Sequence, residues 1–305
     1  MSAHILIPTL LPAVLALAAP AGFRLEYQYD LATFAGRVRT SAASLNYDRK
    51  AHELYVVGYG QVRVFNAAGM EVFRFGDDEA LGIVYGVAAL ENGDLLVISY
   101  RDSKPGLVRC NFRGEIIERV ELTGLPEAFK GFGPSAIAYH DGRVYLADLM
   151  GMRVLLVDTA GRYFASYDLA ELTGLAATRQ DAGMNGFGVD RDGGMLFTVA
   201  AGFRAYVVSL AGQVRYFGKP GSAPGTFGVV AGIGSDASGR YYVADTLKCA
   251  VLVFDRDFTF LGQVGTRGAK PGQLIAPTSL AVAENRVFVS QQGNRGVTVY
   301  QVRDE

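Results

Sequence analysis

One short pattern returns along the chain at nearly constant intervals: a small residue, an apolar one, a spacer and a further apolar one. It starts at Ser44 (SLNYD), Gly86 (GVAAL), Ser135 (SAIAY), Gly186 (GFGVD), Gly232 (GIGSD) and Ser279 (SLAVA), at separations of 42, 49, 51, 46 and 47 residues. A polar turn follows each copy (DRKAHE, ENGD, HDGR, DRDGG, DASGR, AENR), and then an apolar run such as ELYVVG, RVYLAD or RYYVAD. A loop of variable length leads to a third run (QVRVFN, RVLLVD, AVLVFD), and a second turn, often with Gly, leads to a fourth (EVFRFG, RYFASYDL, TFLGQVG). The third and fourth runs alternate apolar with polar, as half-buried strands do, while the second runs are almost continuously apolar, as strands covered on both faces are.

Four short strands per unit, six units, and a period near 45 residues specify an all-β chain folded as a six-bladed β-propeller of four-stranded blades. The last unit ends at GVTVYQVRDE without a fourth strand, and FRLEYQYDL at 23–31 has the look of a fourth strand without a blade. Closing the ring with residues 23–31 completes the last blade and removes an exposed sheet edge. The organisation expected is therefore a signal segment at 1–21 and one propeller domain at 22–305.

Composition narrows the function. Half of the residues are hydrophobic, and 29 Lys+Arg stand against 30 Asp+Glu for a net charge of −1. That balance lacks the positive field on which phosphate-backbone binding depends, so nucleic acid is not an expected partner. Residues 1–21 are apolar from Ile5 onward and end in Ala19-Pro20-Ala21, which suits cleavage by a signal peptidase. Pro8 and Pro12 count against a long transmembrane helix. The expected location is periplasmic or extracellular, with membrane attachment only if this segment stays uncleaved. The two cysteines, Cys110 and Cys249, fall in different units and are not expected to pair, and no C-x-x-C-H is present for covalent haem.

Over roughly residues 23–305, and most clearly from 123 onward, the repeat resembles the NHL-repeat six-bladed propellers. The best match is GKPGSAPGTFGVVAGIGSDASGRYYVADTLKCAVLVFD in the fifth unit, and TRGAKPGQLIAPTSLAVAENRVFVSQQGNRGVTVY in the sixth resembles it with Gln291 where the repeat has Asp. The third unit keeps Ala147-Asp148 and the basic Arg153. Units one, two and four lack the acid, and unit two carries what reads as an expanded loop, SYRDSKPG. The resemblance implies the fold and leaves the function open, because such rings serve many roles.

Asp148, Asp245 and Gln291 are read as structural repeat positions whose side chains tie off the loop after the second strand. A catalytic acid is needed once, whereas a loop must be tied in every blade. The loops between second and third strands share one face, and loops carry binding function because strands are committed to packing. On this face the candidate binding residues are Tyr100, Arg101, Lys104, Met150, Met152, Arg153, Phe203, Arg204, Lys248, Cys249, Asn294 and Arg295. Cys249 is expected on an exposed loop and Cys110 in a buried strand.

No catalytic residue, cofactor or metal site is assembled from the sequence. His52 and His140 lie in first hairpins on the opposite face and cannot supply a zinc site or a Ser-His-Asp triad by themselves. Six-bladed propellers of the lactonase and amidoglycolate-lyase types hold a metal near the central channel. Here the residues entering the channel read as Ser44, Gly86, Ser135, Gly186, Gly232 and Ser279, with Asn185 the one oxygen ligand in reach. The leading expectation is a non-enzymatic exported scaffold that binds a protein or cell-envelope component through its loop face. The alternative is a metal-dependent hydrolase or lyase with a site at the channel.

Overall fold

A computed structural model describes residues 23–76, 79–102 and 104–304. Among them, six antiparallel four-stranded sheets form a ring of blades. The innermost strands are Ser44–Asp48, Ile83–Ala89, Ala136–His140, Gly186–Val189, Val230–Ser235 and Pro277–Ala283. Burial falls from the middle of each blade to its rim. In blade five every residue of Tyr241–Asp245 and Ala250–Phe254 is buried, whereas the outer strand Ile116–Val120 of blade two is almost wholly exposed. The continuously apolar second strands of the sequence are thus the ones sandwiched between neighbouring blades.

The ring closes as expected. Phe23–Asp30 pairs antiparallel with Val297–Asp304, from Phe23 opposite Asp304 to Asp30 opposite Thr298, with an irregularity between Tyr27 and Tyr29. Thr298 Oγ1 and Arg37 Nη2 both donate to Asp30 Oδ1, at 2.6 and 2.8 Å, and Tyr27 packs edge-on against Tyr300.

The small-apolar pattern has a packing cause. Successive side chains of an inner strand point to opposite faces, so the apolar positions meet the preceding blade and the small positions meet the next. A Cβ placed on Gly86 would stand 3.0 Å from Ile137 Cγ2, and one on Gly234 would stand 2.9 Å from Leu280 Cδ1. Each blade presses a large residue into the space that its neighbour leaves. At Gly186 and Gly232 the backbones themselves approach: a Cβ would lie 2.4 Å from Ala231 O and 2.7 Å from Ser279 Cα, respectively.

Two sequence readings change. In blade three Ala136, opposite Ala147, takes the place that Ser44, Gly86, Gly186 and Ser279 hold elsewhere. Ser135 precedes the strand, and its hydroxyl accepts from Leu149 N at 3.1 Å. A shift of one residue exchanges the two faces of a strand, and S-A-I-A-Y fits the pattern in either phase. In blade two SYRDSKPG is not an expanded loop. Leu95–Arg101 and Lys104–Cys110 run on as paired strands to the pair Arg101–Lys104, and Asp102 enters the turn in a left-handed conformation (φ 51°).

Candidate functional site

The second strand of every blade ends on the face that also carries the blade-to-blade connections. Asp245 is fully buried there, and its carboxylate accepts three backbone N–H groups, from Gly228 (2.6 Å), Val229 (3.1 Å) and Lys248 (2.9 Å). Two of these belong to the connection entering the blade, so the acid ties two loops together. Gln291, also buried, does the same with neutral chemistry: Oε1 accepts from Ile275 N at 2.7 Å and Nε2 donates to Thr298 Oγ1 at 2.8 Å. Asp148 accepts from Gly151 N at 2.8 Å and receives Arg153 Nη2 at 3.4 Å. Asn185, the one oxygen ligand read near the channel, has its Oδ1 accepting from Ala200 N at 2.8 Å.

The cations of this face share a second task. Arg153 donates to Ala128 O at 2.9 Å, Lys248 to Ala223 O at 2.9 Å, and Arg295 to Ala269 O at 2.9 Å. In each case the accepting carbonyl belongs to the connection leading into the same blade. Arg101 and Arg119 converge in the same way on Ala80 O, at 3.3 and 2.8 Å. Lys248 also donates to Thr226 Oγ1 at 3.2 Å, and burial holds its amine below the usual lysine pKa, an effect that the charge of Asp245 only partly offsets. Arg204 differs: its guanidinium lies 4.3 Å from the centre of the Tyr216 ring.

Met152 and Cys249 are buried, against the expectation that they line an exposed loop. Both follow the tying acid by four residues, and both adopt a left-handed backbone, at φ 50° and 54°. That conformation turns the side chain under the loop, where Cys249 Sγ lies 3.6 Å from Thr246 O. Cys110 is buried as expected, and among the described residues neither cysteine is in a disulfide. Met150 is exposed, as is its counterpart Leu247, which the sequence reading missed. Phe203 is half-buried with φ 53°, and Asn294 is exposed, accepting from Tyr59 OH at 2.5 Å.

Besides Met150, Leu247 and Val229, the face leaves to solvent an apolar sector over blades one and two. Tyr59 (71% exposed), Ile83 (53%), Tyr85 (49%) and Tyr100 (38%) lie there. Ile83 pairs with Tyr100 across the first two strands of blade two, the rings of Tyr85 and Tyr100 meet edge to face at 5.9 Å, and Ile83 Cγ2 reaches the space beside Gly60. The signal in the sequence was weak: an aromatic turn (Gly58-Tyr59-Gly60) and an apolar strand start (Ile83-Val84-Tyr85), both outside the loops that the repeat singles out.

Among the described residues no group of three or more His, Cys, Asp or Glu converges as a set of metal ligands. No described helix is long and apolar enough to cross a membrane, and the predicted signal segment lies outside the described residues.

No family model matches the chain, and no curated protein matches it. Solved structures do. A streptogramin B lyase superposes with TM-score 0.59 at 12% identity over 93% of this chain and 98% of that one. A catalytically inactive virginiamycin B lyase from Staphylococcus aureus, solved with quinupristin, gives 0.57 at 11% identity over 92% and 99%. A luciferin-regenerating enzyme gives 0.61 at 12% identity over 92% and 95%. At such identities the likeness is one of fold: this chain is a six-bladed β-propeller similar to those enzymes in architecture.

Proposed function

We propose that this propeller is an exported, non-enzymatic scaffold whose loop face binds a protein of the cell envelope over blades one and two. The observation that carries the reading is the exposed group Tyr59, Ile83, Tyr85 and Tyr100. Aromatic anchors ringed by polar groups are the usual energetic centres of protein interfaces, and isolated monomers rarely leave contiguous apolar patches uncovered. Kinship with NHL-type repeats belongs to the same proposal, and it rests on the pairing of a tying acid with an anchoring cation at Asp148 with Arg153 and Asp245 with Lys248.

The face's other cations are poor recognition elements, because Arg101, Arg153, Lys248 and Arg295 already hold backbone carbonyls. The test is affinity capture from an envelope extract with three baits: the unaltered protein, Tyr85→Ala/Tyr100→Ala, and the outer-turn control Phe112→Ala. A partner kept by the first and third and lost by the second is the expected result. Equal capture by all three overturns the assignment of the face. Stoichiometric calcium or zinc in the purified protein would instead favour the hydrolase or lyase reading.

A further inference from the structure

The opposite face of the ring holds a cavity of about 510 Å³ at the hairpin end of the central channel. It reaches up to the layer of small residues where the inner strands crowd together. Its walls are side chains that face the preceding blade, among them Leu45, Ile137, Phe187 and Leu280, with the rings of Tyr47 and Tyr139 nearer the mouth. Its volume is that of a small-molecule site, with apolar walls along the inner strands and a polar, charged mouth.

One wall breaks the pattern of the ring. The second small position of the inner strand is Ala88, Ala138, Gly188, Gly234 or Ala281 in five blades and Asn46 in blade one. Asn46 lines the cavity, half-buried, and its side-chain amide hydrogen-bonds to no other described residue. His140, at the mouth, likewise has no hydrogen-bond partner for its ring among the described residues.

The mouth carries more acids than cations. Asp48, Glu91, Asp141, Asp190 and Asp236 line it against Arg49, Lys50 and Arg191. The three cations are turned onto backbone carbonyls of neighbouring blades: Arg49 to Val282 O (3.4 Å), Lys50 to Glu91 O (2.8 Å) and Arg191 to Ala237 O (2.5 Å). Asp48, Asp190 and Asp236 each accept N–H groups of their own hairpin turns, and Asp236 is also paired with Arg240 at 2.6 Å. Glu91 and Asp141 remain exposed at the rim, and Glu91 stands beside the Tyr139 hydroxyl, whose pKa burial and that carboxylate both raise.

We infer that this cavity binds an amphipathic organic cation, a small molecule with an apolar body and a protonated amine. The body fills the space between Leu45, Ile137, Phe187 and Leu280 and offers a polar substituent to Asn46. The ammonium rests at the mouth between Glu91, Asp141 and the Tyr139 ring, where carboxylates and an aromatic face both favour it. A carboxylate of the same shape meets the same walls and is repelled at the rim. The site lies on the face opposite the loop-face patch, so neither proposal depends on the other.

Calorimetric titration with phenethylamine, 3-phenylpropionate and 2-phenylethanol separates the contributions. Phenethylamine is expected to bind most tightly and phenylpropionate least, with a ratio on the order of tenfold or more. The variant Glu91→Gln/Asp141→Asn should erase that preference while leaving 2-phenylethanol unchanged. Asn46→Ala matches the small residue of the other blades, so it tests the anchor without a folding risk, and Tyr100→Ala on the far face should change nothing. Equal affinity for amine and carboxylate, an amine preference that survives the double variant, or no binding of any probe overturns the inference.

Discussion

The loop faces of blades five and six and of blades one and two occupy equivalent places in the ring, yet they do opposite things. In blades five and six the polar positions after the second strand are used up, and Leu247 alone among the apolar ones there is exposed. Asp245 and Gln291 bind backbone N–H groups, Lys248 and Arg295 bind backbone carbonyls, and Cys249 lies under its loop. In blades one and two the same positions carry no tying acid, the strands of blade two run on into a tight turn, and tyrosines face solvent. Where the repeat motif is strongest its polar side chains hold backbone; in blades one and two, where it lapses, apolar side chains face solvent.

The sharpest way to break this contrast is to open the ring. Removing Phe23–Asp30 strips blade six of its outer strand and exposes Val297–Asp304 as an edge. Loss of soluble folded protein is expected, seen as a collapsed expression yield and no cooperative melt. Next comes Asp245→Ala, which leaves three part-buried N–H groups without their acceptor. At about 1–3 kcal/mol for each stranded group, a loss of roughly 3–5 kcal/mol is expected in denaturant unfolding. A loss below about 1 kcal/mol would mean that the acid is not what holds these loops.

Lys248→Met should cost about 1–2 kcal/mol, since it removes two hydrogen bonds worth about 1 kcal/mol net each. Tyr100→Ala should cost within about 0.5 kcal/mol, as exposed positions do. If Tyr100→Ala proves the more damaging of the two, the division between a structural and a binding sector fails.

A small, pH-dependent effect is expected at the seam of blades six and one, where Tyr47 OH and Arg286 Nη2 donate to Glu284 Oε2 at 2.8 and 2.9 Å and His52 meets Oε1. Burial alone would raise the Glu284 carboxyl, but these hydrogen bonds outweigh it and hold the pKa below its usual value. A depressed carboxylate pKa adds stability that is complete above the ordinary Glu value of about 4.3 and is lost as pH falls through the lower folded one. Glu284→Gln should therefore destabilise by under about 1 kcal/mol at pH 7. The gap to the unaltered protein should shrink below about pH 4, measured by unfolding across pH.

Much of this was legible in the residues. Blade number, strand order and closure follow from patterns a few residues long, repeated often enough to check one another. Asp148, Asp245 and Gln291 could be picked out as loop-tying positions for the same reason. The phase of blade three could not, because SAIAY satisfies the pattern in two registers and only pairing with Arg143–Asp148 decides between them. Met152 and Cys249 were placed outward because a loop position suggests exposure; the sign of φ reverses that, and no residue type announces it. Arg153, Lys248 and Arg295 looked available for a partner because what they bind is a backbone carbonyl some 25 residues away, which has no side-chain signature.

The amino-acid sequence by itself determined the repeat, the ring and the strand that closes it, since these rest on local periodicity and on burial that each unit states again. Only the tertiary structure decided which cations are bound, which loop residues turn inward, and that an apolar sector and an acidic-mouthed cavity lie on opposite faces. Those outcomes depend on backbone direction and on groups brought together from different blades, and neither is written in any single stretch of the chain.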